Sequence, residues 1–138
     1  MTVIGVVDSG PLYAATDTAD DDHQRSREVL QRGDIQLVIP ALVIAEVTYI
    51  VGRRLGAVAE AAFLRGLGSF DVEAPVPEDW ARIAELVEQY RDFPLGGTDA
   101  SVVAVAERLD TDLVITLDHR HFGAIQPRHC AAFRILPA

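Results

Sequence analysis

Four acids stand where apolar segments should carry no charge. Asp8 closes the run Val3-Ile4-Gly5-Val6-Val7, and Glu46 interrupts Ala41-Leu42-Val43-Ile44-Ala45 before Val47. Asp99 opens Ala100-Ser101-Val102-Val103-Ala104-Val105-Ala106, and Asp118 follows Leu113-Val114-Ile115-Thr116-Leu117. A buried carboxylate is expensive unless a cation compensates it. All 12 basic residues of the chain are arginines, and none lies inside these segments. A divalent metal is the remaining counter-charge, and ligands that are all oxygen favour Mg2+ or Mn2+ over zinc. The chemistry expected of such a cluster is hydrolysis at a phosphodiester, with water activated by the ion. Asp8 and Asp99 are read as the principal ligands. Glu46 is a ligand or the group that positions the attacking water, and Asp118 helps hold a second metal or an outer water. Spacing does not distinguish one metal from two.

Each acid also has a plainer reading. Asp8 precedes Ser9-Gly10-Pro11, where aspartate commonly forms turns; Ser9 is then a turn residue, or a hydroxyl donor behind the site. Asp99 suits the first turn of a helix through the dipole and capping. Asp118 fits a loop, with Asp112 as its competitor for the fourth position; Asp112 precedes its strand, at the other end of the sheet, which favours Asp118. Glu46 is the hardest to explain away. Helical spacing lines it up with Leu42, Tyr49 and Arg53, and Arg53 could pair with it. The opposite stripe of Ile44, Val47, Thr48 and Val51 is also apolar, so the helix reads as buried nearly all round. His119, His121 and His129 lack regular zinc spacing and read as exposed loop residues. His23 belongs to an acidic helix start, Asp20-Asp21-Asp22-His23.

The elements that must position the acids alternate between strand and helix. Strands are expected over 3–7, 36–39, 70–73, 112–116 and 133–136. Helices are expected near 12–15 and over 20–32, 40–55, 57–67, 77–90 and 98–109. Pro40 suits a first helical position and Gly56 a stop. The helix over 77–90 shows Trp80, Ile83, Ala84 and Val87 on one stripe. Short apolar strands between helices imply an α/β fold with a mainly parallel sheet covered on both faces. In such sheets sites collect beyond the carboxyl ends of the strands. Asp8 and Asp118 fall at such ends, while Glu46 and Asp99 fall early in helices that begin near the same edge.

Composition narrows the class. A chain of 138 residues with 49% hydrophobic and 24% charged residues is expected to form a single domain, 1–138, and is not disordered. Its formal charge of −9 argues against binding nucleic acid through a basic surface, though not through metal ions. No stretch is apolar enough to span a bilayer, and no basic region precedes the first apolar residues, so neither membrane nor export is expected. The single cysteine, Cys130, permits no intrachain disulfide and suits the cytoplasm.

With these residues in place the chain resembles the PIN-domain ribonucleases, and among them the VapC-type toxins of VapBC toxin–antitoxin pairs. The resemblance rests on Val6-Val7-Asp8-Ser9-Gly10-Pro11-Leu12, Pro40 to Val47, Thr98 to Ala106, and Val114-Ile115-Thr116-Leu117-Asp118 with Phe122, in that order. It implies a Rossmann-like three-layer sandwich and Mg2+- or Mn2+-dependent endonucleolytic cutting of RNA. It further implies a homodimer and inhibition by a VapB-type antitoxin whose tail enters the cleft. By the same resemblance the family's acids fall on Asp8, Glu46, Asp99 and Asp118, with Thr116 supporting the site. Three other classes compete. A phosphatase that transfers phosphoryl groups through magnesium would want a second Asp two residues after Asp8, where Gly10 stands. A receiver-like switch would want a lysine after the late strand, and the chain has none. A non-catalytic PIN-like protein-interaction module would be expected to lack one of the acids. Arg53, Arg54 and Arg120 lie nearest the acids in sequence as residues to guide RNA.

Overall fold

The computed structural model describes residues 2–138; Met1, with which the reading of the N-terminus begins, lies outside them. Strands β1 (Val3–Val7), β2 (Ile35–Pro40), β3 (Asp71–Glu73), β4 (Leu113–Ile115) and β5 (Arg134–Leu136) form one sheet in the order β3-β2-β1-β4-β5. Every pairing is parallel, so the sheet is wholly rather than mainly parallel. β1 pairs with β2 from Val3 opposite Ile35, and with β4 from Gly5 opposite Leu113. Parallel strands need crossovers, which helices supply, and a sheet so covered has apolar residues on both faces. Val6, Val7, Val114 and Ile115 are accordingly inaccessible to solvent. Gly5 lets the strands close up, since a Cβ there would lie 2.9 Å from the Ile35 side chain.

The helices are α1 (Ser9–Ala14), α2 (His23–Leu30), α3 (Ala41–Leu55), α4 (Ala57–Gly66), α5 (Pro77–Gln89), α6 (Gly97–Arg108) and α7 (His119–Ala124). α6 carries the unbroken buried run Ala100 to Ala106 against β1, β2 and β4. Gly56, at φ 91, ends α3 and turns the chain directly into α4.

Four expectations need correction. α1 begins at Ser9, so Gly10 and Pro11 belong to its first turn rather than to a turn before it. α7 occupies the stretch read as an exposed loop, capped by Asp118 and anchored by the buried Phe122. On α5 the inward face is Asp79, Arg82, Ile83 and Leu86, whereas Trp80 is 52% exposed. α3 is not buried all round: only Val43, Val47 and Val51 are fully buried, and Glu46 and Tyr49 are exposed.

Candidate metal and phosphodiester site

The strand order reverses between β1 and β4, which leave the sheet toward helices α1 and α7. The crevice at that switch point is where open α/β sheets bind ligands. Asp8 follows β1 and its backbone N–H donates to Ile115 O at 2.9 Å, continuing the ladder one residue past the strand. Asp8 stands at the N-cap of α1, yet its side chain makes no capping bond. Instead Thr116 Oγ1 donates to Asp8 Oδ2 at 2.8 Å, and that hydroxyl of Thr116 accepts from Asp118 N at 3.0 Å. One buried hydroxyl thus joins the ends of β1 and β4. Ser9 Oγ is buried without a partner, as is Asp8 Oδ1.

Asp8 is 5% exposed and its carboxyl is pushed up to about 6. Burial is the main cause, opposed by the Thr116 hydrogen bond and reinforced by the charges of Asp99 and Glu46. Asp99, in the first turn of α6, is also raised, by burial first and then by Asp118 and Glu46; His121 works the other way. Asp8, Glu46, Asp99 and Asp118 therefore share one electrostatic neighbourhood. Glu46 is exposed on α3, and Arg53 does not pair with it. Asp112 lies at the opposite end of β4, paired with Arg134 at 2.9 Å.

Asp118 carries a second job. Its Oδ1 caps α7 by accepting from His121 N at 3.0 Å, and its Oδ2 lies 2.8 Å from His121 Nδ1. His121, read from sequence as a loop residue, is half-buried and packs on Phe93 with ring centroids 4.5 Å apart. A signal was present: Asp followed by His three residues later is the spacing at which an N-cap and the first turn meet. Phe93 gave no such signal. His119 Nε2 is 3.0 Å from Pro137 O and His129 Nε2 is 2.7 Å from Thr111 O, so both tie down the C-terminal segment. His23 Nδ1 lies 2.8 Å from Ala14 O, joining α2 to α1.

The donors fit a hard divalent cation. They are all oxygen, and among the described residues one buried carboxylate oxygen has no partner and no arginine forms an ion pair with any of the four acids. Among the described residues no three of these groups converge into a finished shell.

Fold and site together define an α/β protein with acidic residues gathered at the switch point of a parallel sheet. Residues 5–126 match the PIN domain, and the chain belongs to that family. Ribonuclease VapC26 of Mycobacterium tuberculosis is 34% identical over 134 residues, spanning 96% of this chain and 99% of that protein. Among solved structures, VapC20 of M. tuberculosis, described as a sarcin-ricin loop cleaving toxin, superposes with a TM-score of 0.74 at 18% identity. That match covers 80% of this chain and 86% of VapC20. VapBC2 of Rickettsia felis, solved with a fragment of promoter DNA, gives 0.71 at 16% identity over 96% of this chain and 98% of that one. A toxin–antitoxin complex from Klebsiella pneumoniae gives 0.67 at 18% identity, covering 88% and 92%. At these identities the structures establish the shared fold.

Proposed function

We propose that this chain is the endoribonuclease toxin of a type II toxin–antitoxin pair and that it uses Mg2+ or Mn2+ to cut RNA phosphodiester bonds. The observation that carries the reading is Asp8: a carboxylate buried at a strand end, with one oxygen fixed by Thr116 and the other unpartnered, beside acids that repel it. Such an arrangement destabilises the fold unless a cation completes it. The 34% identical relative over nearly the whole chain is named a ribonuclease, which supports RNA as the substrate.

Asp8 and Asp99 would hold the ion, with Asp118 holding a water beyond it. When bound, the ion would lower the pKa of a water and neutralise the leaving oxygen. Thr116 keeps the Asp8 carboxylate in one orientation, and Ser9 offers a hydroxyl beside it. Glu46, free and solvated on α3, is suited to accept a proton from the attacking water.

The partners follow from the same charges. The titles of similar structures name toxin–antitoxin assemblies, which supports a cognate VapB-type antitoxin. An arginine from that antitoxin, placed among the acids, would balance them and displace the metal. The reading includes a homodimer working in the cytoplasm as one domain over 1–138; no helix among the described residues is long and apolar enough to cross a membrane.

The test is RNA cleavage by the purified protein with Mg2+ or Mn2+. Cleavage should stop with chelator and fall at least about a hundredfold in Asp8→Asn and Asp99→Asn. Intact RNA with folded wild type would support the interaction-module alternative. Cleavage indifferent to chelator would remove the metal.

A further inference from the structure

We infer that Phe93 and Arg120 form a stacking clamp that holds a nucleotide of the RNA strand beside the scissile phosphodiester. The inference rests on the nuclease reading above and names residues that would grip its substrate.

Phe93 lies in the turn between α5 and α6, half-buried, six residues before Asp99. His121 packs on it at 4.5 Å with planes inclined by 38°, and the same imidazole is bonded to Asp118 at 2.8 Å. The Phe93 ring is therefore one imidazole away from Asp118. The Arg120 guanidinium lies over this ring, 5.0 Å from its centroid. Arg120 is exposed and forms no ion pair among the described residues, in a chain where acids outnumber bases 21 to 12. An arginine left unpaired in so acidic a chain, laid on an aromatic face, is a cation kept available for an incoming anion.

Arg54, also near the acids in sequence, is placed differently. Arg54 lies over Tyr13, 5.3 Å from the ring centroid, and that tyrosine donates to Asp17, so Arg54 serves the α1 region. Guanidinium stacked on an aromatic ring is a platform on which single-stranded bases pack, with N–H groups left at the edge for phosphate. A single-stranded nucleic acid offers a base face and a phosphate together, and the nuclease reading makes that strand RNA. An acidic segment of a partner protein would meet the charge but leave the stack unused.

The experiment measures KM and kcat with an end-labelled, random-sequence single-stranded RNA pool, alongside the Mn2+-induced rise in Tm. Arg120→Lys keeps the charge but loses the plane; Phe93→Leu keeps the packing but loses the ring; Phe93→Tyr keeps both. The lysine and leucine variants should raise KM about tenfold, with kcat within about threefold and the Mn2+ shift unchanged, while the tyrosine variant stays near wild type. Wild-type kinetics in both Arg120→Lys and Phe93→Leu would overturn the clamp and leave the nuclease standing. Unchanged RNA kinetics with weakened binding of the co-expressed antitoxin would overturn it in favour of a protein contact. Wild type that leaves both this pool and total RNA intact would overturn the nuclease reading and the clamp with it.

Discussion

Asp8 and Asp79 are almost equally buried, at 5% and 4% exposure, but the chain treats them in opposite ways. Asp79 sits on the inner face of α5 and receives Arg108 Nε at 2.9 Å and the Val76 N–H at 3.0 Å. Around it Arg82 grips Glu107 with two N–H groups at 2.8 and 2.9 Å and reaches Glu85 at 2.7 Å. Arg108 also reaches Glu73 at 2.7 Å, and Arg128 closes onto Glu85 and Glu107. Burial pushes the Glu107 carboxyl up, but Arg82 and the Arg128 N–H outweigh it and hold it below its usual range. At the sheet's edge no arginine comes, and Asp8 rises to about 6. One group of acids is balanced and fastens helices together; the other is left unbalanced at a crevice. A fold marginally stable overall keeps such a charge imbalance only where something else completes it.

The contrast can be broken from its structural side first. Arg82→Ala strands Glu107 and Glu85 and should destabilise the protein by about 3 kcal/mol, since removing one partner of a buried pair leaves the other uncompensated. Urea unfolding measures it. A loss within about 0.5 kcal/mol would mean the α5–α6 network is merely a surface feature.

From the other side, Asp8→Asn should stabilise the metal-free protein, and pH sharpens the effect. The folded-state carboxyl titrates near 6 against 3.8 for the unfolded chain, so the folded state binds the extra proton between those values. The Asp8 contribution to stability therefore falls as pH rises from about 4 to 6. The advantage of the asparagine variant over wild type should grow by about 3 kcal/mol across that window and level off above it. A gap that shrank with rising pH would show Asp8 to be compensated in the folded protein.

The smallest expected effect is at His121. Its alanine variant frees Asp118 from one partner, and loss of an orienting group behind a ligand lowers metal affinity or activity about tenfold. Unaltered cleavage would reduce the His121–Asp118 pair to a helix cap.

How much of this was legible in the sequence differs between the two regions. β1 and β4 announce themselves as apolar runs ending in Asp8 and Asp118, and local patterning suffices because a parallel strand is buried on both faces. Thr116 was placed behind the site by resemblance, and the structure sets it between Asp8 and Asp118. Glu46 was singled out on the ground that α3 is buried all round, which it is not. The outer side of this helix lies open despite its apolar residues, and one-dimensional spacing does not record that. The balanced network was not legible: Arg82 meets Glu107 across 25 residues and Arg108 meets Asp79 across 29. Those pairs bury polar residues on α5 and leave Trp80 outside. α7 was missed because six residues rich in histidine and arginine carry little periodicity, and its stability comes from the Asp118 cap and Phe122.

Calorimetric titration of Mn2+ into metal-free wild type, Asp8→Asn and Asp99→Asn near pH 7.5 tests the central claim most directly. Binding to wild type should be saturable, and lost or weakened at least about tenfold in each variant, because no arginine among the described residues forms an ion pair with these acids. Equal Mn2+ binding by all three folded proteins would contradict it, for the unbalanced acids at the sheet's edge would then not be a metal site.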